Sequence, residues 1–193
     1  MKAWAISLAL GAAATAFPSA ASAQAGVTVD MADAVAPNRY VWSDTASVQP
    51  VSIVVSTADQ RAYVYRGQVL ISVSSVSTGK DGKATPAGTY PILQKKAAHR
   101  SNLYDASMPY MQRLTWDGIA LHAGPNPGFP ASHGCIRLPT AFARRLFAIT
   151  AVGSTVTVMD EAFIPGDDWT AAPDPNAEAA RANTLQIAAL ERR

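Results

Sequence analysis

Leu121-His122-Ala123-Gly124 and, after a short interval rich in Gly and Pro, Ser132-His133-Gly134-Cys135-Ile136-Arg137-Leu138 form the stretch on which the reading of this chain turns. Cys135 is the only cysteine, so it has no intramolecular disulfide partner, and it lies beside two of the three histidines. Nucleophilic catalysis accounts for that company. A free thiol with a pKa near ~8.5 is only a few per cent thiolate at neutral pH, and an imidazole near ~6.5 takes its proton or stabilises the anion as an ion pair. The alternative use of an unpaired cysteine, as a small buried hydrophobe, leaves the histidines unexplained.

Outward from this stretch the texture is that of short strands. β-branched and aromatic runs cover Val51 to Ser56, Ala62 to Tyr65, Val69 to Val76, Thr89 to Leu93, Gly118 to His122 and Ser154 to Met159. Turn formers such as Arg66-Gly67 and Lys80-Asp81-Gly82-Lys83 separate them, and the pattern implies mainly antiparallel β structure. One amphipathic helix interrupts it between Pro139 and Ala151, with Phe142, Leu146 and Ile149 on one side and Pro139 suited to the first helical position. Coming just after Cys135, its positive N-terminal end is a candidate influence on the thiol's pKa.

These residues resemble the L,D-transpeptidase catalytic domain (the YkuD family), which carries a histidine followed by a Ser/Thr-His-Gly-Cys-apolar-Arg/Asn segment. Upstream, Val76-Ser77-Thr78-Gly79 and Thr85-Pro86-Ala87-Gly88-Thr89-Tyr90 are similar to two further segments of the family, so the resemblance runs from about Val51 to Met159. The interval between His122 and Ser132 is shorter than in many members. The resemblance implies a mainly β fold of two packed sheets with one principal helix after the cysteine. It also implies L,D-transpeptidation of peptidoglycan stem peptides: Cys135 forms a thioester with the third residue, expelling terminal D-alanine, and a neighbouring stem's amine takes the acyl group. Carbapenems are the inhibitors it implies, and no cofactor is expected.

In this reading Cys135 is the nucleophile and His122 the base. His133 either supports the loop or takes part in proton transfer, and Gly134 either opens space for an oxyanion or makes a turn. Ser132 is grouped with them as a supporting residue. Arg137 either holds a substrate carboxylate or braces the loop. Tyr104, Tyr110 and Trp116 either line a substrate groove or pack in the core. His99, in the basic run Lys95 to Arg100, reads as a surface residue. A zinc site is disfavoured because ligand pairs are missing, so no metal is expected. The same residues also suit an L,D-carboxypeptidase or endopeptidase, in which water replaces the amine. A papain-like hydrolase fits poorly, since there the cysteine precedes its histidine. A non-catalytic cell-wall-binding module is the alternative from another class.

Met1-Lys2, the apolar stretch from Ala3 to Phe17, and Ala21-Ser22-Ala23 read as a secretory signal cleaved after Ala23, which implies export to the periplasm or cell envelope. No segment of the remaining chain has the ~20 apolar residues of a spanning helix. Of 16 basic and 14 acidic residues the signal holds one, Lys2, leaving 15 against 14, which gives no basic face for nucleic acid. Residues 24–50 read as an extended leader with one short strand near Tyr40 to Ser43, residues 51–163 as the catalytic domain, and residues 164–193 as a Pro-, Asp- and Ala-rich tail.

Overall fold

In a computed structural model the chain is described over residues 26–101 and 105–166. A short helix, α1 (Val29–Asp33), is capped by the Thr28 hydroxyl, which accepts from the Met31 amide. Strands β1 (Tyr40–Trp42), β2 (Val51–Ser56), β3 (Arg61–Arg66), β4 (Val69–Ser75) and β5 (Gly88–Pro91) follow. Then come β6 (Gln94–Lys96), β7 (Met111–Arg113), β8 (Ala120–Ala123), β9 (Ile136–Leu138), helix α2 (Thr140–Ile149) and β10 (Thr155–Met159). The six-stranded sheet has the order β1-β4-β3-β2-β10-β5 and the four-stranded sheet the order β6-β7-β8-β9. Pairing is antiparallel except between β2 and β10 and between β8 and β9. The described residues are mainly β, with two sheets and one principal helix.

Side-chain alternation explains the layers. Along β2, Ile53 and Val55 face the core shared with the small sheet and α2, while Val54 faces the opposite side. The first core joins Ile53, Val55, Val64 and Ile71 to Leu121, Ile136, Leu138, Phe142 and Leu146. The second, on the outer face, joins Val54, Tyr63, Tyr65 and Val73 to Val27, Ala32, Val35 and Phe163. Both faces of the large sheet are therefore covered, which is why β2 and β4 read as nearly continuous apolar and small residues.

The segment read as a leader supplies part of this cover. Tyr40 and Trp42 of β1 pack on Phe142, with ring centroids 5.6 and 5.9 Å away, while Val41 between them joins the outer cluster. Phe163, just before the tail, stacks edge-on against Tyr63 at 4.8 Å. Helix α2 starts one residue later than its sequence suggests, with Pro139 (ψ 136°) as the N-cap rather than the first helical residue. The stretch read as a secretory signal, Met1 to Ala23, and residues 167–193 of the stretch read as a tail lie outside the described residues.

Phe142 is fully buried where β1, α2 and both sheets meet. Phe142→Ala is expected to lower unfolding free energy by about 3–5 kcal/mol, the usual range for a buried phenylalanine. Val48→Ala, at a side chain 92% exposed, is expected to change it by less than about 0.5 kcal/mol. Urea titration of both variants checks the contrast.

Candidate active site

The parallel pairing of β8 with β9 sets the site. Its register places Leu121 beside Ile136, His122 beside Arg137 and Ala123 beside Leu138. Leu121, Ala123, Ile136 and Leu138 enter the core, so the period of two sends His122 and Arg137 to the other face. Ala120 and Cys135, each two residues earlier, face the same way and meet in a small cluster with Met108 and Met111. His122 and Cys135 are thus diagonal neighbours, about 7–8 Å apart at the backbone on a regular sheet. Both line one cleft of about 700 Å³.

His122 is 7% exposed. Its Nδ1 lies 2.8 Å from the Ala123 carbonyl, which can only accept, so Nδ1 carries the proton and Nε2 is left as the basic nitrogen. Burial pushes the imidazole below its ordinary pKa; the Ala123 carbonyl opposes this and Arg137 adds to it. Cys135 Sγ donates to the Gly118 carbonyl at 3.3 Å. Burial pushes the thiol up, while a backbone hydrogen bond from Ala120 and the Arg137 and Arg113 charges pull the other way. Both shifts favour a neutral thiol and a neutral imidazole over an ion pair. The α2 end does not act directly on sulfur, because β9 stands between Cys135 and Thr140 and the effect of a helix terminus fades within a turn.

The loop before Cys135 is held from inside. The Ser132 hydroxyl, buried, donates to the Cys135 carbonyl and accepts from the Gly134 amide at 3.1 Å. Gly134 has φ +116°, which a side chain rarely adopts, so glycine is required here for the turn. Its amide is directed to Ser132 and its carbonyl accepts from Thr85 Oγ1 at 2.8 Å. Thr85 Oγ1 also accepts from the Gly79 amide at 2.9 Å. At Gly79 a Cβ would lie 1.9 Å from the Lys83 carbonyl oxygen, so no larger residue fits. Ser77 exchanges two backbone hydrogen bonds with Arg137, both 3.0 Å, and the Thr78 carbonyl accepts from Ala131 and Ser132. The two upstream motifs are therefore the outer wall of the cysteine loop. Its buried support is Ser132, while His133 is exposed and lines the cleft.

The interval from Gly124 to Ala131 is pinned along its length. Asn126 donates to the Ser75 carbonyl at 2.8 Å, the Ser77 hydroxyl donates to the Phe129 carbonyl, and Gly124 donates to the Leu138 carbonyl. A Cβ on Gly128 would lie 2.6 Å from Pro37. This stretch is a fixed rim, not a lid.

Trp116 lines the cleft and is largely exposed, with the Arg113 guanidinium 5.8 Å from its ring. Tyr110 packs against Phe147 and the core instead. Tyr104 lies outside the described residues. His99 is not a plain surface residue: it is half-buried and lines the cleft. The reason is a ladder that continues β6, in which Met108 donates to the His99 carbonyl and Tyr110 to that of Ala97. Arg113, which no motif in the sequence marks, also lines the cleft. Among the described residues, no three His, Cys, Asp or Glu side chains converge to hold a metal ion, and no helix is long and apolar enough to cross a membrane.

Residues 50–158 match the L,D-transpeptidase catalytic domain, more than half of the chain. The chain belongs to this family. It is 28% identical over 110 aligned positions to L,D-transpeptidase 1 of Mycobacterium tuberculosis, an alignment covering 48% of this chain and 43% of that protein. The crystal structure of an L,D-transpeptidase from Stackebrandtia nassauensis superposes with a TM-score of 0.53 at 27% identity, covering 64% of this chain and 60% of that one. The fold is shared with L,D-transpeptidase 3 of M. tuberculosis, solved with a faropenem-derived adduct, at TM-score 0.53 and 23% identity, covering 57% of this chain and 60% of that one. The chain thus spans less than two thirds of the length of these relatives.

Because burial favours the neutral thiol, the alkylation rate of Cys135 by iodoacetamide is expected to rise with pH along a profile displaced upward from that of free cysteine. Mass spectrometry across a pH series checks the displacement, and a profile at or below free cysteine contradicts it. Thr85→Val, which removes the link between Gly79 and Gly134, is expected to cost about 1–3 kcal/mol, read as a lowered thermal midpoint.

Proposed function

We propose that this chain is a cysteine-dependent peptidoglycan L,D-transpeptidase. The observation that carries the reading is the placement of His122 and Cys135 on one face of paired strands, with His122 Nδ1 tied to the Ala123 carbonyl and Nε2 left to accept the thiol proton. Family membership supports it.

The neutral resting pair dictates the order of steps. As Cys135 sulfur bonds to the carbonyl carbon of the third residue, His122 Nε2 takes the thiol proton, so no free thiolate need accumulate. The oxyanion is met by the Cys135 amide, since that of Gly134 is directed to Ser132. Collapse breaks the carbon–nitrogen bond to D-alanine, whose amine leaves with the proton returned by His122. The thioester is then attacked by the side-chain amine of a second stem, which loses a proton to His122. The regenerated sulfur recovers that proton. Water in place of the amine gives the trimmed tripeptide.

The site's setting fits an exported enzyme acting in the cell envelope, with residues 1–23 as the secretory signal. Arg137 and Trp116 are assigned to substrate binding, Ser132 and Gly134 to shaping the loop, and His133 to the rim. A strained β-lactam amide is an acyl donor for the same thiol, so carbapenems are expected to acylate Cys135.

Purified tetrapeptide muropeptides are expected to yield dimers joined between third-position residues together with tripeptides, the dimer share rising with acceptor concentration. Cys135→Ala is expected to abolish both products and the carbapenem adduct. His122→Ala is expected to fold normally and to slow acylation by ~10²-fold or more. Tripeptide alone at every acceptor concentration reassigns the enzyme as a carboxypeptidase. Activity surviving Cys135→Ala overturns the mechanism.

A further inference from the structure

The cleft is lined by two arginines that no carboxylate of the described residues neutralises. Arg113 and Arg137 are both half-buried in its wall, and the ion pairs among the described residues, Arg100 with Asp105 and Arg145 with Asp44, involve neither. Asp117 is the only acidic residue of the lining, against these two arginines and three histidines. Partly desolvated guanidiniums with no carboxylate partner favour an anionic ligand.

The two arginines serve different places. Arg137 stands two residues beyond Cys135 along β9, and its aliphatic stem leans against Gly124. Arg113 lies across β8, paired with Ala120, and its Nε donates to Gln94 of β6 at 3.3 Å. That bond holds the guanidinium toward β6, on the side of β7 away from β9, with the Trp116 ring 5.8 Å from it. With strands ~4.8 Å apart and ~3.3 Å of rise per residue, the two backbones are about 12 Å from each other, Cys135 lying level with Arg113 across β8 and two residues from Arg137 along β9. One carboxylate does not bridge groups that diverge in this way. His99 extends the outer position with a further nitrogen donor.

We infer that Arg113, with His99 beside it, forms a second carboxylate subsite that reads the acyl side of the donor, opposite the leaving-group side next to Arg137. The inference rests on the stem-peptide reading above and specifies its donor: a peptide carrying a free carboxylate on each side of the attacked carbonyl. Two sources offer the acyl-side carboxylate, the side chain of the third residue and the α-carboxyl of the second.

The test uses the full chain as Cys135→Ala, which binds without reacting, and three tetrapeptide donors. One has all carboxylates free, one is amidated on the third-residue side chain, and one on the second-residue α-carboxyl. Calorimetric titration is expected to show about tenfold or greater weakening for one amidated donor, which identifies the source. Adding Arg113→Gln is expected to level the difference between that donor and the free one. Arg113→Lys is expected to retain part of it, and His99→Gln to reduce it; thermal melts confirm that each variant is folded. Equal binding of all three donors, or a difference that persists in Arg113→Gln, overturns the subsite and leaves the transpeptidase reading standing. A chain that binds none of them overturns the stem-peptide reading itself.

Discussion

The register between Ala120–Ala123 and Ile136–Leu138 is the constraint on which the site depends. A slip of one residue in either strand would turn His122 or Arg137 into the core and bring Leu121 or Ile136 out to water. Such a slip exchanges burial of a large aliphatic side chain, worth about 1.5–3 kcal/mol, for burial of an imidazole or a guanidinium. The same apolar residues that weld the small sheet to the large one therefore align Cys135 with His122, the nucleophile and base of the proposed mechanism. On its free side β9 is held by Ser77, at the exit of β4, so the two sheets are joined next to the Cys135 thiol.

How much of this is legible in the sequence depends on how local its cause is. The strands β2, β3, β4 and β10 are legible because four or more β-branched, aromatic or small residues run between turn formers. The strands β6, β7 and β9 are three residues each, too short for a period to emerge, and β9 hides inside the motif that draws attention to its cysteine. Cys135 and His122 stand out because a thiol and an imidazole make specific chemical demands. His99 does not, since its neighbours are cationic or small and its position follows from a backbone ladder with Met108. Arg113 is equally silent, because an arginine in a three-residue strand has many ordinary uses.

The motif glycines and hydroxyls divide in the same way. That Gly79 and Gly134 are glycines is visible in the sequence. That the Thr85 hydroxyl fastens one to the other is not, as the two residues are far apart along the chain and meet only through the fold. Electrostatics follows packing too. Burial among Met108, Met111 and Ala120 favours the protonated thiol, against the pull of the Ala120 amide, and a protonated thiol resists oxidation.

The last strand of the domain, β10, does not sit at an edge but between β2 and β5. Its partners are β2 and the edge strand β5, so β5 has no place in the large sheet until the chain has emerged through Met159. Contacts of such long sequence separation are slow to form, and until they do the facing edges of β2 and β5 carry unpaired amides and carbonyls. A nascent chain of this topology has no way to lock early into its final shape.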